Sequence, residues 1–389
     1  MIPDTSESVA VIADVEALRD LVQRLRKSAW VAVDTEFMRE RTYYPKLCLV
    51  QLATDTELAC VDPLALADLS PLTELWTDAS VTKVFHAAGQ DMEVLLQTAG
   101  ELPRPVFDTQ IAATLLGYPD QIGYARLVAD RLGVTLDKSH TRSDWSRRPL
   151  STEELDYAAD DVRYLARLFP DMEAELERRG RRDWLDPEFE TLLDANRYRP
   201  DPAAAWRRVR GGQRLRPGQR RALARLAEWR EHAAMTGDRP RGWILKDEVL
   251  LTLAQKRPGD ETELGKIRNL PENVRRKHGK TLVELIAAAA EGPAPPGVEE
   301  PAPAPLPPER QPLVDLAMAG LRERSAATGI AAGTLANRKD LERLVAGERD
   351  LPLLKGWRRE AAGQALLDLL EGKTALRGAE TGVDWIEPD

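Results

Sequence analysis

The distribution of strand-like segments along the chain constrains the fold more than any other feature. Up to about residue 190, short apolar runs alternate with amphipathic helical patterns, whereas after residue 200 the strand patterns stop. The runs that predict strands are VAVIAD, WVAVDTEF, KLCLVQLAT, TELACVDP and VTKVFHA. We therefore predict an α/β domain, a mixed sheet of about five strands flanked by helices. An all-α part follows it.

Composition divides the helical part again. Residues 291–310 are rich in Pro and Ala and have no apolar periodicity, which predicts an extended, semi-rigid linker. The predicted domains are residues 1–200 for the α/β domain, 210–290 for a first helical domain and 311–376 for a second. The two helical domains are similar in size, which favours a degenerate duplication.

Charge and targeting features narrow the class of protein. The polar start MIPDTSESVA lacks the pattern of a secretory signal, and no apolar run is long enough to cross a bilayer. Cys48 and Cys60 lie in strand-like runs and are predicted to be reduced, buried side chains. We expect a cytoplasmic protein with no membrane partner.

The net charge of −9 is not typical of a nucleic-acid-binding protein. Residues 206–221 depart from this average, because they contain seven arginines and no acid: Arg207, Arg208, Arg210, Arg214, Arg216, Arg220 and Arg221. Such a segment is either a solvated linker or helix start, or a surface that contacts phosphates.

Two carboxylates end the second strand-like run, in VAVDTEFM. Side chains alternate along a strand, so Asp34 and Glu36 point to one side and Thr35 to the other. Like charges this close repel, and burying them without a partner is costly. The strand either runs out into solvent here or holds a cation between the two acids.

Two further acids follow in positions that the predicted elements bring to the same sheet edge. Asp91, in FHAAGQDMEVLL, is placed in the first turn of a helix that follows a strand, where an ordinary helix start also favours an acid. Tyr157 and Asp161, in LDYAADDVRYL, are four residues apart and lie on one helix face. Taken singly, Tyr157 is a core aromatic and Asp161 a solvated acid.

Taken together, four carboxylates at one place require divalent cations. Oxygen ligands of this type select Mg²⁺ or Mn²⁺. Two such ions about 3.5–4 Å apart clamp the attacking and leaving oxygens of a phosphoryl displacement. The Tyr157 hydroxyl is then placed to orient the attacking water.

The motifs VDTEF, FHAAGQD and YAADD resemble the DEDD exonuclease superfamily in its Tyr-containing branch. HAAGQDMEVL, FDTQIAATLLGY, GVTLDKSHTRSDWSRRPLS and LDYAADDVRYL together are similar to the ribonuclease D family. The segment DRPRGWILKDEVLLTLA resembles the HRDC domain, a helical domain of which that family often has two. The resemblance implies an RNase H-like 3′-5′ exonuclease domain followed by HRDC-type domains.

The same resemblance assigns roles to residues. It makes Asp34, Glu36, Asp91 and Asp161 the ligands of two Mg²⁺ or Mn²⁺ ions and Tyr157 the water-orienting residue. It places Lys138, Asp144, Trp145 and Arg148 at the entrance, near the scissile end, although for Trp145 itself we favour core packing. Arg207, Arg208 and Arg210 are expected to contact RNA.

Two neighbouring residues are given other roles. Asp108 is predicted to be a supporting residue or a helix cap rather than a ligand. His86 is predicted to end a strand, since the branch that uses a His base has it where this chain has Asp156.

The implied function is a metal-dependent 3′-5′ exoribonuclease that releases 5′-mononucleotides and trims tRNA precursors, as a monomer. One alternative is a DNA exonuclease, because no motif here reads the 2′-hydroxyl group. The others are a non-catalytic nucleic-acid-binding scaffold and a metal-dependent phosphomonoesterase. The complete set of four acids and a Tyr argues against a scaffold, and the helical domains are not explained by a phosphomonoesterase.

Overall fold

The computed structural model describes residues 9–137, 143–291, 297–298 and 306–387. These residues form two compact units. The first combines residues 9–36, 47–194 and 306–387, and the second combines residues 37–46, 195–291 and 297–298. The predicted linker therefore falls largely outside the described residues, as does Lys138.

A six-stranded mixed sheet forms the centre of the α/β part. Its strands lie in the order β1-β4-β3-β2-β5-β6 and are β1 Ala10–Ile12, β2 Trp30–Met38, β3 Lys46–Ala53, β4 Leu58–Val61, β5 Thr82–Phe85 and β6 Val106–Asp108. Strand β5 is parallel to β2 and to β6, β1 is parallel to β4, and β3 is antiparallel to β4. The mixed sheet is confirmed. The sixth strand was not predicted, because only two apolar residues, Val106 and Phe107, lie between Pro105 and Asp108.

Seven helices accompany the sheet. They are α1 Val15–Leu25, α2 Ser70–Thr77, α3 Gly89–Ala99, α4 Thr109–Leu115, α5 Tyr124–Leu132, α6 Thr152–Arg178 and α7 Asp186–Leu192. The apolar stripe predicted for α6 is buried, since Ala158, Val162 and Leu165 are at most 1% exposed. Parallel β2 and β5 bring their carboxyl ends to one edge of the sheet, beside the start of α3.

The second unit is helical. Its helices are α8 Pro217–Thr236, α9 Arg241–Ile244, α10 Asp247–Lys256, α11 Glu261–Leu264 and α12 Glu272–Glu291. Their apolar faces share one core, which already includes Trp206, Val209 and Leu215. The Arg-rich segment is therefore not an extended linker, because its apolar residues pack while its arginines alternate with them.

A segment between β2 and β3 folds with this helical unit, and we call residues 37–46 the connecting segment. The Tyr43 hydroxyl donates to Glu231 Oε1 at 2.5 Å, and Arg241 Nε donates to Glu231 Oε2 at 2.7 Å. The backbone N–H groups of Tyr43 and Tyr44 both donate to Asp238 Oδ1, at 3.0 and 3.1 Å. Glu231 is fully buried, and the Tyr43 hydroxyl and the Arg241 guanidinium provide hydrogen bonds to its two carboxylate oxygens.

The C-terminal part is helical and ends in a hairpin. It contains α13 Gln311–Thr328, α14 Ala332–Leu335, α15 Arg338–Val345, α16 Gly356–Arg358 and α17 Gln364–Leu370, followed by antiparallel β7 Ala375–Ala379 and β8 Gly382–Ile386. We predicted helical structure to about residue 376 and missed the hairpin. Its strands are at most partly buried, so they lack the apolar alternation that reveals a strand.

This C-terminal part belongs to the same unit as the sheet. The rings of Trp184 and Trp357 stack with centroids 5.5 Å apart and planes 9° apart. Trp357 Nε1 donates to Glu188 Oε1 at 3.0 Å, and the Arg358 guanidinium pairs with the same carboxylate. These contacts join the last helices to the region around α7.

The described chain shows the setting of both cysteines and the character of the helices. Cys48 and Cys60 are buried thiols outside any disulfide, as predicted, and burial raises the pKa of Cys60 to about 12, so its thiol stays protonated. Across the residues described above, none of the helices has the length and apolar character needed to span a membrane.

Candidate active site

Strand β2 places two carboxylates at the end of the sheet, and α6 supplies a third. Carboxylate oxygens of Asp34, Glu36 and Asp161 all lie within 4.8 Å of one another, and the three side chains are partly buried. The alternation along β2 therefore does bring Asp34 and Glu36 to the same side. The strand does not simply run out into solvent.

Crowding and burial shift the pKa values of these acids upward. Burial, followed by the charges of Asp161 and Asp91, raises the pKa of Glu36 to about 8. Burial, followed by the charge of Asp160, raises the pKa of Asp161 to about 7. Burial and the acidic neighbours raise the pKa of Asp34 well above its usual range. Among the described residues, the charges that act most on the cluster are all negative.

Asp91 lies beside this cluster of three and is held by the residue between the two strand acids. The Thr35 hydroxyl donates to Asp91 Oδ1 at 2.5 Å, and both side chains are buried. Burial raises the pKa of Asp91 to about 7, although the Thr35 hydrogen bond lowers it. We did not single out Thr35 from the sequence, because its side chain alternates to the face opposite Asp34 and Glu36.

The turn before α3 is held by Asp108. Its Oδ1 accepts from the backbone N–H groups of Gln110 and Ile111, at 2.8 and 3.2 Å, so the predicted helix cap is confirmed. The same carboxylate also accepts from the N–H groups of Ala87 and Ala88, at 3.2 and 2.8 Å. One side chain thus caps α4 and fixes the turn that leads to Asp91.

His86 follows β5 and is held by two neighbours. Its Nδ1 lies 3.0 Å from Thr109 Oγ1 and its Nε2 lies 3.1 Å from the Ile122 carbonyl oxygen. Burial lowers the pKa of His86. The prediction that His86 ends a strand is confirmed, and both ring nitrogens are already engaged.

Helix α6 begins with a capping box that fixes the residues of its first turns. Ser151 Oγ accepts from the Glu154 N–H at 3.2 Å, and Glu154 Oε2 accepts from the Ser151 N–H at 2.9 Å. Tyr157 then lies one turn before Asp161, as predicted. Trp145 is 3% exposed and stacks on Tyr157 with ring centroids 6.2 Å apart, so its predicted core packing is confirmed.

The two tyrosines near the carboxylates are protonated at neutral pH. Burial, followed by the charge of Asp161, raises the pKa of Tyr157 further above its already basic value. The same causes raise the pKa of Tyr124, a residue that we did not single out from the sequence. Its hydroxyl donates to the Asp160 carbonyl oxygen at 3.0 Å. No local sequence signal marks Tyr124, because it follows an ordinary helix-starting glycine.

An acidic cavity of about 440 Å³ opens beside Tyr157 and Asp161. Further acids line it, namely Asp137, Glu153, Asp156 and Asp160. A phosphodiester entering such a cavity is repelled unless cations offset the carboxylates. Crowded carboxylates are the ligands that divalent metal ions prefer.

The residues predicted to contact substrate occupy different settings. The Arg148 guanidinium is bound to both carboxylate oxygens of Asp62, at 2.6 and 2.7 Å, and to the carbonyl oxygen of Cys48. Asp144 accepts from the Ser146 N–H at 3.1 Å in a tight turn. Their contacts with substrate stay predictions.

The three arginines predicted to contact RNA are exposed on the helical unit. The Arg207 guanidinium lies 5.9 Å from the ring centroid of Trp206, and Arg208 Nη1 lies 3.7 Å from Glu231 Oε1. Arg210 is exposed as well. Their contact with RNA stays a prediction.

Comparison with known proteins identifies relatives of both parts of the chain. Residues 9–177 match the model of the 3′-5′ exonuclease family, and residues 219–286 match that of the HRDC domain. A ribonuclease D from Sphingobium indicum is 43% identical over 381 residues, covering 94% of this chain and 95% of its own. A ribonuclease D from Acidiphilium cryptum is 42% identical, covering 97% of each chain.

Solved structures give the same picture. The crystal structure of Escherichia coli RNase D, an exoribonuclease involved in structured RNA processing, superposes with a TM-score of 0.79 at 35% identity. The match covers 94% of this chain and 99% of that one. A protein from Bifidobacterium adolescentis superposes with a TM-score of 0.70 at 25% identity, covering 94% of this chain and 97% of its own.

Proposed function

The chain belongs to the ribonuclease D family of 3′-5′ exoribonucleases, and we propose from that premise that it removes 5′-mononucleotides one at a time from RNA 3′ ends. We further propose that it works with two divalent cations and that tRNA precursors are among its substrates. The observation that carries the proposal is the cluster of Asp34, Glu36 and Asp161 within 4.8 Å.

The residues present fit a divalent metal site. Asp34, Glu36, Asp91 and Asp161 would hold the ions, since they offer only hard oxygen ligands and no cationic side chain is among the charges that act most on the cluster. When bound, two such ions activate a water molecule and stabilise the charge that develops on the phosphate. They also remove the repulsion between the acidic cavity and the substrate backbone.

The Tyr157 hydroxyl would orient the attacking water. Its raised pKa keeps it a neutral phenol, which donates a hydrogen bond or accepts one but does not take up the proton as a phenolate base. Trp145 stacks against its ring, and the capping box at Ser151 and Glu154 fixes the helix turn that carries it. The hydroxyl is therefore held in place before substrate arrives.

The RNA substrate is proposed from two sources. The Escherichia coli relative is described as acting in structured RNA processing, and this chain has the helical part that a catalytic domain alone lacks. A structured body such as a tRNA precursor needs a surface away from the site, whereas its single-stranded end reaches the carboxylates. DNA remains the alternative substrate, because no described residue is assigned to the 2′-hydroxyl group.

The decisive experiment compares RNA and DNA of one sequence, each labelled at the 5′ end, with Mg²⁺ and with EDTA. We expect RNA to shorten by single nucleotides, with 5′-mononucleotides recovered by chromatography, and EDTA to stop the reaction. A tRNA precursor with a 3′ trailer is run beside an unstructured RNA of equal length. Release of oligonucleotides, or equal rates on DNA, would contradict the proposal.

A further inference from the structure

Two adjoining cavities lie on the helical unit. One has a volume of about 380 Å³ and the other about 420 Å³, and both are lined by Gly242 and Lys246. All the residues that line them belong to the 195–303 part of the chain. They differ in chemistry, because three arginines line only the first and the exposed ring of Trp243 lines only the second.

The first cavity carries more positive than negative charge. Its charged lining residues are Arg208, Arg230, Arg241 and Lys246 against Glu231 and Asp247. Arg230 Nη1 pairs with Asp247 at 2.6 Å and is almost fully buried, and Arg241 pairs with buried Glu231 at 2.7 Å. These pairs neutralise both acids and build the cavity wall. Arg208 Nη1 also lies 3.7 Å from Glu231 Oε1, but its side chain is half exposed, and Lys246 is exposed, so both can reach a ligand in the cavity.

The second cavity offers an aromatic face. Trp243 is 62% exposed, and it is the only aromatic residue among the large exposed hydrophobic side chains in the described part of the chain. Its backbone is fixed by the short helix α9, where the Trp243 N–H donates to the Pro240 carbonyl oxygen at 2.9 Å. An exposed indole on a rigid backbone is a platform for stacking. Glu248 and Asn269 line the same cavity and can bond the edge of a neutral base.

From this juxtaposition we propose that the two cavities form a nucleotide-sized binding site for single-stranded RNA, distinct from the carboxylate cluster. A base stacks on Trp243, and the adjoining phosphate lies in the first cavity against Arg208 and Lys246. The inference rests on the proposed action on RNA. A protein partner would also cover Trp243, but the excess positive charge next to it fits a phosphate backbone better.

The test is equilibrium binding of a fluorescein-labelled single-stranded RNA of about 20 nucleotides, long enough to exceed one site, to the full-length chain in EDTA over a range of salt concentrations. Trp243→Ala should weaken binding roughly 10-fold with an unchanged salt dependence, since a stacking contact is lost and no charge. Lys246→Ala should weaken binding and reduce the slope of log K against log salt by about 0.7, since one phosphate contact is lost. Trp243→Phe should keep most of the affinity.

The matched control is Lys280→Ala, which removes an exposed lysine from α12 of the same unit. It should bind as the unaltered chain does. The proposal is overturned if Trp243→Ala binds as tightly as this control, and a loss confined to Lys246→Ala would leave only a cationic patch. Degradation of a short RNA by the unaltered chain in Mg²⁺ is measured separately. If the RNA is not degraded, the proposed function is refuted, whereas the binding result is unaffected.

Discussion

At the scale of residues, the site is a compromise between stability and binding. Burial, followed by the negative charges of acidic neighbours, raises the pKa values of Asp34, Glu36 and Asp161. Such a cluster opposes folding whenever it is ionised without cations. This loss of folding stability is the cost of a site that binds cations.

The first prediction concerns the ligands themselves. Asp161→Asn and Asp34→Asn should each reduce RNA turnover to a few per cent or less in saturating Mg²⁺, because a neutral amide cannot replace a carboxylate ligand. Circular dichroism should be unchanged, since neither side chain is needed for packing. Turnover near the wild-type rate in either variant would refute the assignment of that residue.

The second prediction concerns pH in the metal-free protein. The carboxyl groups have pKa values of about 7 to 8 when folded, as for Asp161 and Glu36, and about 4 when unfolded. The folded state therefore binds more protons than the unfolded state between these values. The stability that this provides is present at about pH 4 and is lost as the pH rises through 7 to 8.

Thermal unfolding in EDTA is the measurement. The melting temperature of Asp161→Asn minus that of the wild type should increase as the pH rises from about 5 to about 8, because the variant lacks one repelling charge. Adding Mg²⁺ should raise the wild-type value more than that of the variant. A difference between the two proteins that does not change with pH would contradict the assignment of these pKa shifts.

The third prediction separates chemistry from binding at Tyr157. Tyr157→Phe should lower the single-turnover rate by roughly 100-fold and leave the affinity for RNA within a small factor, because the hydroxyl acts on water. The ring and its stacking on Trp145 remain, so the fold is unaffected. Equal single-turnover rates would show that the hydroxyl is structural.

Part of this site could be predicted from local spacing. The i and i+2 positions of Asp34 and Glu36 and the i and i+4 positions of Tyr157 and Asp161 fix their relative directions within one element. Thr35 and Asp91 are 56 residues apart, so their hydrogen bond depends on how β2 and α3 meet. No pattern within one element contains that information.

At the scale of elements, the start of α4 supports the turn before α3. Asp108 accepts four backbone N–H groups, two from α4 and two from the turn at Ala87 and Ala88. Ala87 has a φ of 59°, in the left-handed region that costs a non-glycine residue free energy. The hydrogen bonds of Asp108 offset that cost, and Asp91 is placed as a result.

The fourth prediction tests this support. Asp108→Ala should lower the free energy of unfolding by about 2–4 kcal/mol, because it removes a cap and leaves buried N–H groups without an acceptor. Asp14→Ala is the matched control, since Asp14 caps only the Ala17 N–H of α1. That change should cost about 1 kcal/mol in chemical denaturation. Equal losses in the two variants would mean that Asp108 acts as an ordinary cap.

Elements that lie in longer apolar runs were predicted, including the three-residue β1, whereas β6 and the C-terminal hairpin were not. The strands of the meander and the amphipathic α6 have enough residues for their apolar pattern to show. Strand β6 has three residues, all buried, and the strands of the C-terminal hairpin have five each with little burial. Their pairing comes from neighbours in space, β5 in the first case and the partner strand in the second.

At the scale of the whole molecule, the last helices are part of the unit that contains the sheet. The stacked rings of Trp184 and Trp357, with the Glu188 carboxylate beneath Arg358, form that connection. A helical sequence pattern predicts helices but not which surface they cover, so this association could not be predicted. Whether these helices are a second HRDC-type domain stays a prediction.

The fifth prediction measures that connection. Trp357→Ala should cost about 3–5 kcal/mol, because it empties a buried site and removes the hydrogen bond to Glu188. The C-terminal helices should then melt before the sheet, so calorimetry shows an additional transition. Trp243→Ala is the control, since truncating an exposed Trp should change stability by less than about 0.5 kcal/mol. A single transition in Trp357→Ala would contradict the prediction.

The connecting segment limits how this protein can be rearranged. The chain leaves the catalytic unit directly after Glu36, folds residues 37–46 with the helical unit, and returns at β3. The exonuclease part therefore cannot be exchanged as one continuous segment of the chain. A chimaera that exchanges residues 195–303 must also exchange the connecting segment, because Tyr43 and Tyr44 bond Glu231 and Asp238. Recombination between relatives at the border of residues 194 and 195 alone would combine Tyr43 from one protein with Glu231 and Asp238 from another.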